Sequence, residues 1–285
     1  MRRQVRICST IAEVRAACSE LRSEGKSLGL VPTMGALHAG HLSLVRAAKA
    51  QCAAVAVSIF VNPTQFGPSE DLAKYPRTLE SDRAALEKES VGIVFAPTVQ
   101  EMYPPGETTW VTVGGLSEKL DGRSRPGHFR GVTTVVAKLF HIVQPDRAFF
   151  GQKDAAQLAI IRRMVRDQNF PVEIVACPII REPDGLAMSS RNVYLSKEER
   201  EQALVLHRSL QHVEGGFHQG ERNAAKLQDV GNEGIAREPS VRLDYFEIVD
   251  PVTLDPVDTI SGPTLVAVAA YVGATRLIDN VVLIP

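Results

Sequence analysis

Two histidines, His38 and His41, stand three residues apart in the run Pro32-Thr33-Met34-Gly35-Ala36-Leu37-His38-Ala39-Gly40-His41. The apolar stretch Leu28 to Val31 precedes this run, and a helical spacing of Leu42, Leu44, Val45 and Ala48 follows it. A strand therefore feeds a glycine-containing turn that opens a helix, and such a turn leaves free backbone N–H groups that favour an anion. Imidazoles at that entrance have three readings: capping or surface groups, two metal ligands on one helix face, or donors to a polyanionic substrate. No glutamate follows His38, so the His-Glu-x-x-His zinc pattern is absent, and the glycines do not make Gly-x-Gly-x-x-Gly.

Three further segments carry chemistry after short apolar runs. In Ile59 to Gly67, Asn62 and Gln65 are neutral amides that donate and accept at once, which suits a small substrate bearing hydroxyl and carboxylate groups. In Gly151-Gln152-Lys153-Asp154, with Gln157 one turn later, the lysine is a point charge for phosphates, while Asp154 fits either a magnesium–phosphate assembly or a helix cap. In Met188-Ser189-Ser190-Arg191, preceded by the flexible Glu182 to Gly185, two hydroxyls and a guanidinium suit closure on a triphosphate. Arg125 lies in a basic run, Arg123 to Gly131, just before a helix start. Each of these segments alone also reads as an ordinary turn or solvated surface.

The elements that must position these groups alternate along the chain. Thr10 to Glu13 matches a capping box, and the helix it opens runs to Gly25. A strand over about 27–31 and a helix over about 41–51 flank the histidine turn. Ala53 to Val61, continuous and β-branched, reads as a strand buried on both faces. There follow a helix Leu79–Lys88, a strand Val91–Phe95, a helix Gly131–Val143, a strand Arg147–Phe150, a helix Ala155–Gln168 and a strand Val172–Cys177. This alternation predicts an α/β fold over residues 1–182, doubly wound and Rossmann-like, with a mostly parallel sheet. Beyond it, a helix Ser196–Gln211 capped by Ser196, a glycine-rich connection (Gly215, Gly216, Gly220) and a helix near 222–230 lead to three strands. These are Val241–Val249, Thr264–Tyr271 and Arg276–Ile284, the last two joined by a hairpin-length connection. Residues 183–285 thus read as a smaller C-terminal α+β domain with an antiparallel sheet, expected to close over a site in a cleft.

Composition narrows the classes. Over 285 residues the net charge is −1, with 44% hydrophobic and 23% charged residues, which argues against a nucleic-acid or membrane-surface partner. The four cysteines never approach Cys-x-x-Cys spacing and read as reduced thiols. No apolar core of signal-peptide length follows the basic Met1 to Arg3, and no apolar run nears the ~18–20 residues that span a bilayer. A cytoplasmic location is expected.

In sequence order, six motifs stand together: Pro-Thr-Met-Gly-x-Leu-His-x-Gly-His, Phe-Val-Asn-Pro-Thr-Gln-Phe, Tyr-Pro-Arg-Thr within Asp71–Leu79, Arg-Pro-x-His-Phe-Arg-Gly-Val, Phe-Gly-x-Lys-Asp and Gly-Leu-Ala-Met-Ser-Ser-Arg-Asn. The combination resembles the pantothenate synthetase (pantoate–β-alanine ligase) family of the HIGH-type nucleotidyltransferase superfamily, closely over about 5–195. The resemblance implies an AMP-forming ligase, a homodimer acting on ATP, pantoate and β-alanine. ATP and (R)-pantoate would give a pantoyl adenylate and pyrophosphate, and β-alanine would then displace AMP.

By the same resemblance, Met34, Gly35, Ala36, Leu37, His38, Ala39, Gly40 and His41 would lie along ATP, with His41 and His38 assisting pyrophosphate departure. Gly151, Gln152, Lys153, Asp154, Ile180, Met188, Ser189, Ser190 and Arg191 would complete the nucleotide site, Lys153 and Arg191 neutralising the triphosphate. Gln65 and Gln157 would hold pantoate, and Gln65 with Asn62 would orient β-alanine. Arg125 joins the substrate-binding set, and Gly67–Tyr75 would form a lid. Mg²⁺ would come with ATP and have no fixed protein site. Acyl adenylation needs no protein nucleophile, which agrees with a site of cations and amides. A metal-dependent hydrolase, a nucleotidyltransferase with a stable nucleotidyl product, and a non-catalytic nucleotide sensor are the competing classes.

Overall fold

In the computed structural model, which describes residues 5–68 and 70–285, the chain opens with alternating strands and helices. Met1 to Arg3 and Ser69 of the lid segment lie outside the described residues. The elements are β1 (Arg6–Cys8), α1 (Ile11–Ser23), β2 (Leu28–Thr33), α2 (Ala39–Gln51), β3 (Ala54–Ile59), α3 (Leu79–Lys88), β4 (Ile93–Phe95), the short α4 (Val99–Met102) and α5 (Asp121–Ser124), α6 (His128–Val143), β5 (Arg147–Gly151), α7 (Ala155–Asp167) and β6 (Glu173–Cys177). The remainder is α8 (Lys197–His218), α9 (Ala224–Ala236), β7 (Val241–Val249), β8 (Thr264–Val272) and β9 (Thr275–Leu283).

The first sheet has six strands in the order β1-β4-β3-β2-β5-β6, and every pairing is parallel. Leu28 to Val31 of β2 and Val55 to Ser58 of β3 are buried without a break, so the central strands lack the in–out alternation of a one-sided sheet, and Val31, Val55 and Val57 pack with Leu44 and Val45 of α2. From β2 the connections run outward through β3 and β4 in one direction and to β5 and β6 in the other. That reversal is a topological switch point, where sheets of this kind bind ligands beyond their strand ends. The histidine turn leaves β2 there.

The second sheet is antiparallel, in the order β7-β8-β9. Leu206 and Leu210 of α8, Leu227 of α9 and Phe246, Val266 and Val268 of the strands form its core. Helix α9 approaches β7 through Gly231, where a Cβ would sit 2.2 Å from the Phe246 ring. The chain forms two compact units. One holds 1–117, 125–151 and 160–177; the other holds 118–124, 152–159 and 178–285.

Several boundaries differ from the sequence reading. Helix α8 runs on through Gly215 and Gly216 to His218, with α9 packed close at Gly216, where a Cβ would meet Leu227 at 3.0 Å. Only Gly220, at φ +101°, acts as a stop. Helix α9 extends to Ala236, and α6 begins at His128, straight after Gly127 at φ +83°. Helix α2 begins at Ala39, two residues early, which makes His38 its N-cap and puts His41 in its first turn.

Candidate active site

The histidine turn is built from its own backbone. His38 Nδ1 accepts the N–H of Gly40 at 3.1 Å, and His41 Nδ1 accepts the N–H of His38 at 3.3 Å. This is a capping box made of imidazoles. A ring nitrogen that accepts cannot carry the proton, so in both neutral imidazoles Nε2 is the donor nitrogen. The rings lie 4.1 Å apart between centroids, which presents the two as a pair.

Behind the turn sits Asp82 of α3, 2% exposed. Its carboxylate accepts the N–H groups of Ala36 at 3.0 Å and Leu37 at 2.9 Å, and the Thr78 hydroxyl donates to both oxygens at 3.2 Å. Gly35 and Ala36 adopt φ +82° and +50°, and Gly35 N–H donates to Thr33 Oγ1. The expectation of free backbone N–H groups in this turn is therefore corrected at five of its residues. Those of Gly35, Ala36, Leu37, His38 and Gly40 are all donated within the protein, because a half-buried turn must pair them. The turn aims imidazoles, and the amides of these five residues serve its shape. Asp82 and Thr78 escaped the sequence reading. The signal was an acidic residue in the first turn of a helix, normally a cap or surface charge.

The amides beyond β3 form a second assembly in the same unit. Asn62 is 1% exposed and fully engaged. Its Oδ1 accepts from Thr64 N–H, the Thr64 hydroxyl (2.9 Å) and the Tyr103 hydroxyl (2.9 Å). Its Nδ2 donates to Gln65 Oε1 at 3.0 Å and to Gly131 O at 3.2 Å. Asn62 thus has no capacity left for a ligand, and its effect on one passes through Gln65. With Oε1 taken, Gln65 turns Nε2 toward Met34 Sδ, 3.3 Å away, and presents a donor. Gly131 of α6 is required here, because a Cβ would meet Thr64 O at 2.4 Å. Sequence reading placed Asn62 and Gln65 but missed Tyr103 and Gly131, which lie far along the chain.

Arg125 is held rather than extended. Its guanidinium binds Glu70 through Nε (2.8 Å) and Nη2 (2.6 Å), and Nη1 lies 2.9 Å from His128 Nε2. The other ring nitrogen of His128 contacts Gln65 O at 2.8 Å, so Arg125, His128 and Gln65 form one chain of hydrogen bonds. Burial alone would raise the Glu70 carboxyl, but the hydrogen bonds and charge of Arg125 outweigh it and hold it below the ordinary 4.5. The 67–75 segment is tethered through this ion pair.

The other unit carries the cationic groups. Gln152 to Asp154 form a 3₁₀ turn ahead of α7. Lys153 and Asp154 are half-buried, and among the described residues neither side-chain charge has a hydrogen-bond or ion partner. Gln157 follows in the first turn of α7. Glu182 to Gly185, expected to be flexible, is a tied hairpin. Arg181 and Ala187 bridge, Met188 N–H donates to Ile180 O at 2.9 Å, and Arg200 of α8 binds Glu182 and Asp184, each at 2.7 Å. Asn192 Nδ2 donates to Glu182 Oε1 and Ala187 O. Ser189 caps the following 3₁₀ turn by accepting Arg191 N–H at 3.2 Å, so its hydroxyl oxygen is partly committed to backbone. Lys153, Leu186, Ala187, Ser189 and Asp279 line one shared depression. Ser190 and Arg191 lie in the 3₁₀ turn that Ser189 caps.

A switch-point turn presenting paired imidazoles, and a parallel sheet behind it, define an α/β enzyme of the HIGH-type nucleotidyl-transfer class. Residues 6–282 match the family profile described as Pantoate-beta-alanine ligase. The pantothenate synthetase of Acidobacterium capsulatum is 64% identical, with 98% of this chain and 97% of that protein covered. That of Koribacter versatilis is 63% identical over 98% and 96%. A solved pantothenate synthetase from Thermus thermophilus superposes with a TM-score of 0.94 at 49% identity, covering 99% of this chain and 100% of that one. A Francisella tularensis pantoate-beta-alanine ligase, solved with beta-gamma ATP and beta-alanine, gives a TM-score of 0.80 at 33% identity, covering 97% of each chain. The chain belongs to the pantoate–β-alanine ligase family. It is an AMP-forming ligase that joins pantoate to β-alanine with consumption of ATP, through an adenylate.

Proposed function

We propose that neutral and cationic donors carry this ligation, without a protein nucleophile. The observation that supports it best is the imidazole capping box, which fixes Nε2–H of His38 and His41 as donors. In the first half-reaction the pantoate carboxylate attacks the α-phosphorus of ATP, and the bond to pyrophosphate breaks. His41, with His38, donates to the departing pyrophosphate, while Lys153 and Arg191 balance charge on the triphosphate. Met34 to Gly40 line the nucleotide, and so do Gly151, Gln152, Asp154, Ile180, Met188, Ser189 and Ser190. Gln65 Nε2 and Gln157 hold pantoate, with Asn62 and Tyr103 fixing which end of Gln65 is offered. In the second half-reaction the β-alanine amine attacks the acyl carbon and AMP leaves.

Mg²⁺ belongs to this reading as a counter-ion of the ATP substrate. Among the described residues no three His, Cys, Asp or Glu side chains converge as a metal-holding group. Arg125 works through His128 and the Glu70 tether, so the 67–75 segment acts as a strap that excludes water from the adenylate. In this scheme residues 1–182 supply the histidine turn, the amides and Lys153, and the smaller part, 183–285, supplies Met188 to Arg191. A cytoplasmic homodimer is the proposed setting. The four cysteines are buried free thiols, and no described helix is long and apolar enough to cross a membrane.

The test is AMP release from ATP and Mg²⁺, with pantoate and β-alanine supplied singly and together. Steady AMP production that needs both, with pyrophosphate exchange that needs pantoate alone, is expected. Product formation without β-alanine and without AMP release would instead place the chain among transferases with a stable nucleotidyl product.

A further inference from the structure

Strand β9 carries two adjacent buried polar residues, Asp279 (4% exposed) and Asn280 (3%), in the otherwise apolar run Leu277-Ile278-Asp279-Asn280-Val281-Val282. Successive strand residues point to opposite faces, so the two side chains serve opposite sides of the sheet. Asn280 Nδ2 donates to the backbone oxygens of Gln152 (3.0 Å) and Lys153 (2.9 Å), and its Oδ1 accepts from Gln152 Nε2 (3.2 Å). Asp279 accepts both guanidinium arms of Arg181, at 2.6 and 3.0 Å, and the N–H of Asn280. Arg181 also donates to Gly185 O, so it anchors the hairpin that delivers Met188 to Arg191. The register is pinned from behind, since Asp279 pairs with Val268 and Asn280 with Ala267 of the buried β8.

We propose that Asp279 and Asn280 are the positioning residues that hold the Lys153 turn and the Ser189–Arg191 loop at one fixed spacing for a triphosphate. The inference rests on the reading that those two segments receive it. Neither β9 residue touches substrate in this scheme. Asn280 grips the carbonyl of the lysine residue itself and of its neighbour, and Asp279 grips the root of the opposing loop. Both segments line the same depression. An asparagine is needed at 280 because two carbonyl oxygens and one amide N–H must be met together. Aspartate there would set a carboxylate against two acceptors. Misplacement of a reacting group by about 1 Å costs on the order of 100-fold in rate, so a bracket of this kind reads out in chemistry.

The experiment separates the half-reactions in Asn280→Asp and Asn280→Ser. Pantoate-dependent pyrophosphate exchange is compared with capture of supplied pantoyl adenylate by β-alanine. We expect exchange to fall by about 30- to 100-fold, while capture, which involves no triphosphate, stays within about twofold of the parent. Asn280→Ser, which keeps one donor, should fall less. Lys153→Ala is run beside them. If it keeps full exchange, the triphosphate reading is what fails. If it loses exchange while both Asn280 variants keep theirs, the bracket is overturned. Equal loss of both half-reactions, or failure of both variants to fold, would make the pair a general stability element and also overturn it.

Discussion

The imidazole turn and the Lys153 turn are both short polar turns between a parallel strand and a helix, yet they are finished differently. Around His38 and His41 the N–H groups of Gly35, Ala36, Leu37, His38 and Gly40 are paired, by Asp82, Thr33 or the histidines themselves. Around Lys153 the backbone is gripped by Asn280 while the charged side chains are left without counter-ions among the described residues. The first turn uses its polarity for shape; the second keeps its polarity for a ligand. Shape supported by a buried carboxylate is coupled to stability, because removing the carboxylate strands its donors. A bare half-buried cation is coupled to rate, because nothing in the free protein depends on it.

That contrast is open to breakage by mutation. Lys153→Ala should lower turnover by roughly 100- to 1,000-fold, the scale of one electrostatic donor lost from a transition state. Its denaturation midpoint should match the parent, and a large drop in stability would erase the contrast. His41→Ala should slow single-turnover adenylation by about 100-fold with little change in pantoate affinity. Equal adenylation rates in mutant and parent would remove His41 from the chemistry. Asp82→Ala should behave in the opposite way to Lys153→Ala, losing about 3 kcal/mol in urea titration as two backbone donors are stranded. Activity would fall with it. Gly131→Ala should cost about 1–3 kcal/mol through overpacking against Thr64 O, with a raised KM for pantoate as Gln65 shifts.

The smallest effect concerns the strap. The folded Glu70 carboxyl sits below its ordinary 4.5, so its tether to Arg125 contributes fully above that value. The contribution is lost as pH falls through the lowered folded value. Limited proteolysis of the 67–75 segment should therefore accelerate only under acid conditions, and Glu70→Gln should make it fast at neutral pH. Proteolysis of equal speed in Glu70→Gln and parent would detach the strap from this ion pair.

The strands and helices of the parallel sheet were legible because buried parallel strands read as continuous apolar runs and their helices as 3.6-residue periods. The site residues that are local to a motif were legible for the same reason: His38, His41, Asn62, Gln65 and Lys153 all follow such a strand in the chain. Gly216 lies inside α8 rather than beyond its end, and its neighbour Leu227 shows that a glycine's meaning depends on what packs beside it. At Ala36 and Leu37 the free-amide reading of the histidine turn fails for a related reason, since Asp82 arrives from a helix more than forty residues away.

By itself, the sequence determined the alternating fold, the identity of the reactive groups and, through six motifs in order, the family. Tertiary structure alone decided which polar atoms remain available. Asn62 is saturated, Arg125 is held by Glu70 and His128, and Asn280 closes on Lys153 from a strand 127 residues further along. The physical reason is that a hydrogen-bonding group can satisfy only a few partners. Whether it commits to the chain or stays open for a ligand depends on neighbours that one-dimensional spacing does not contain.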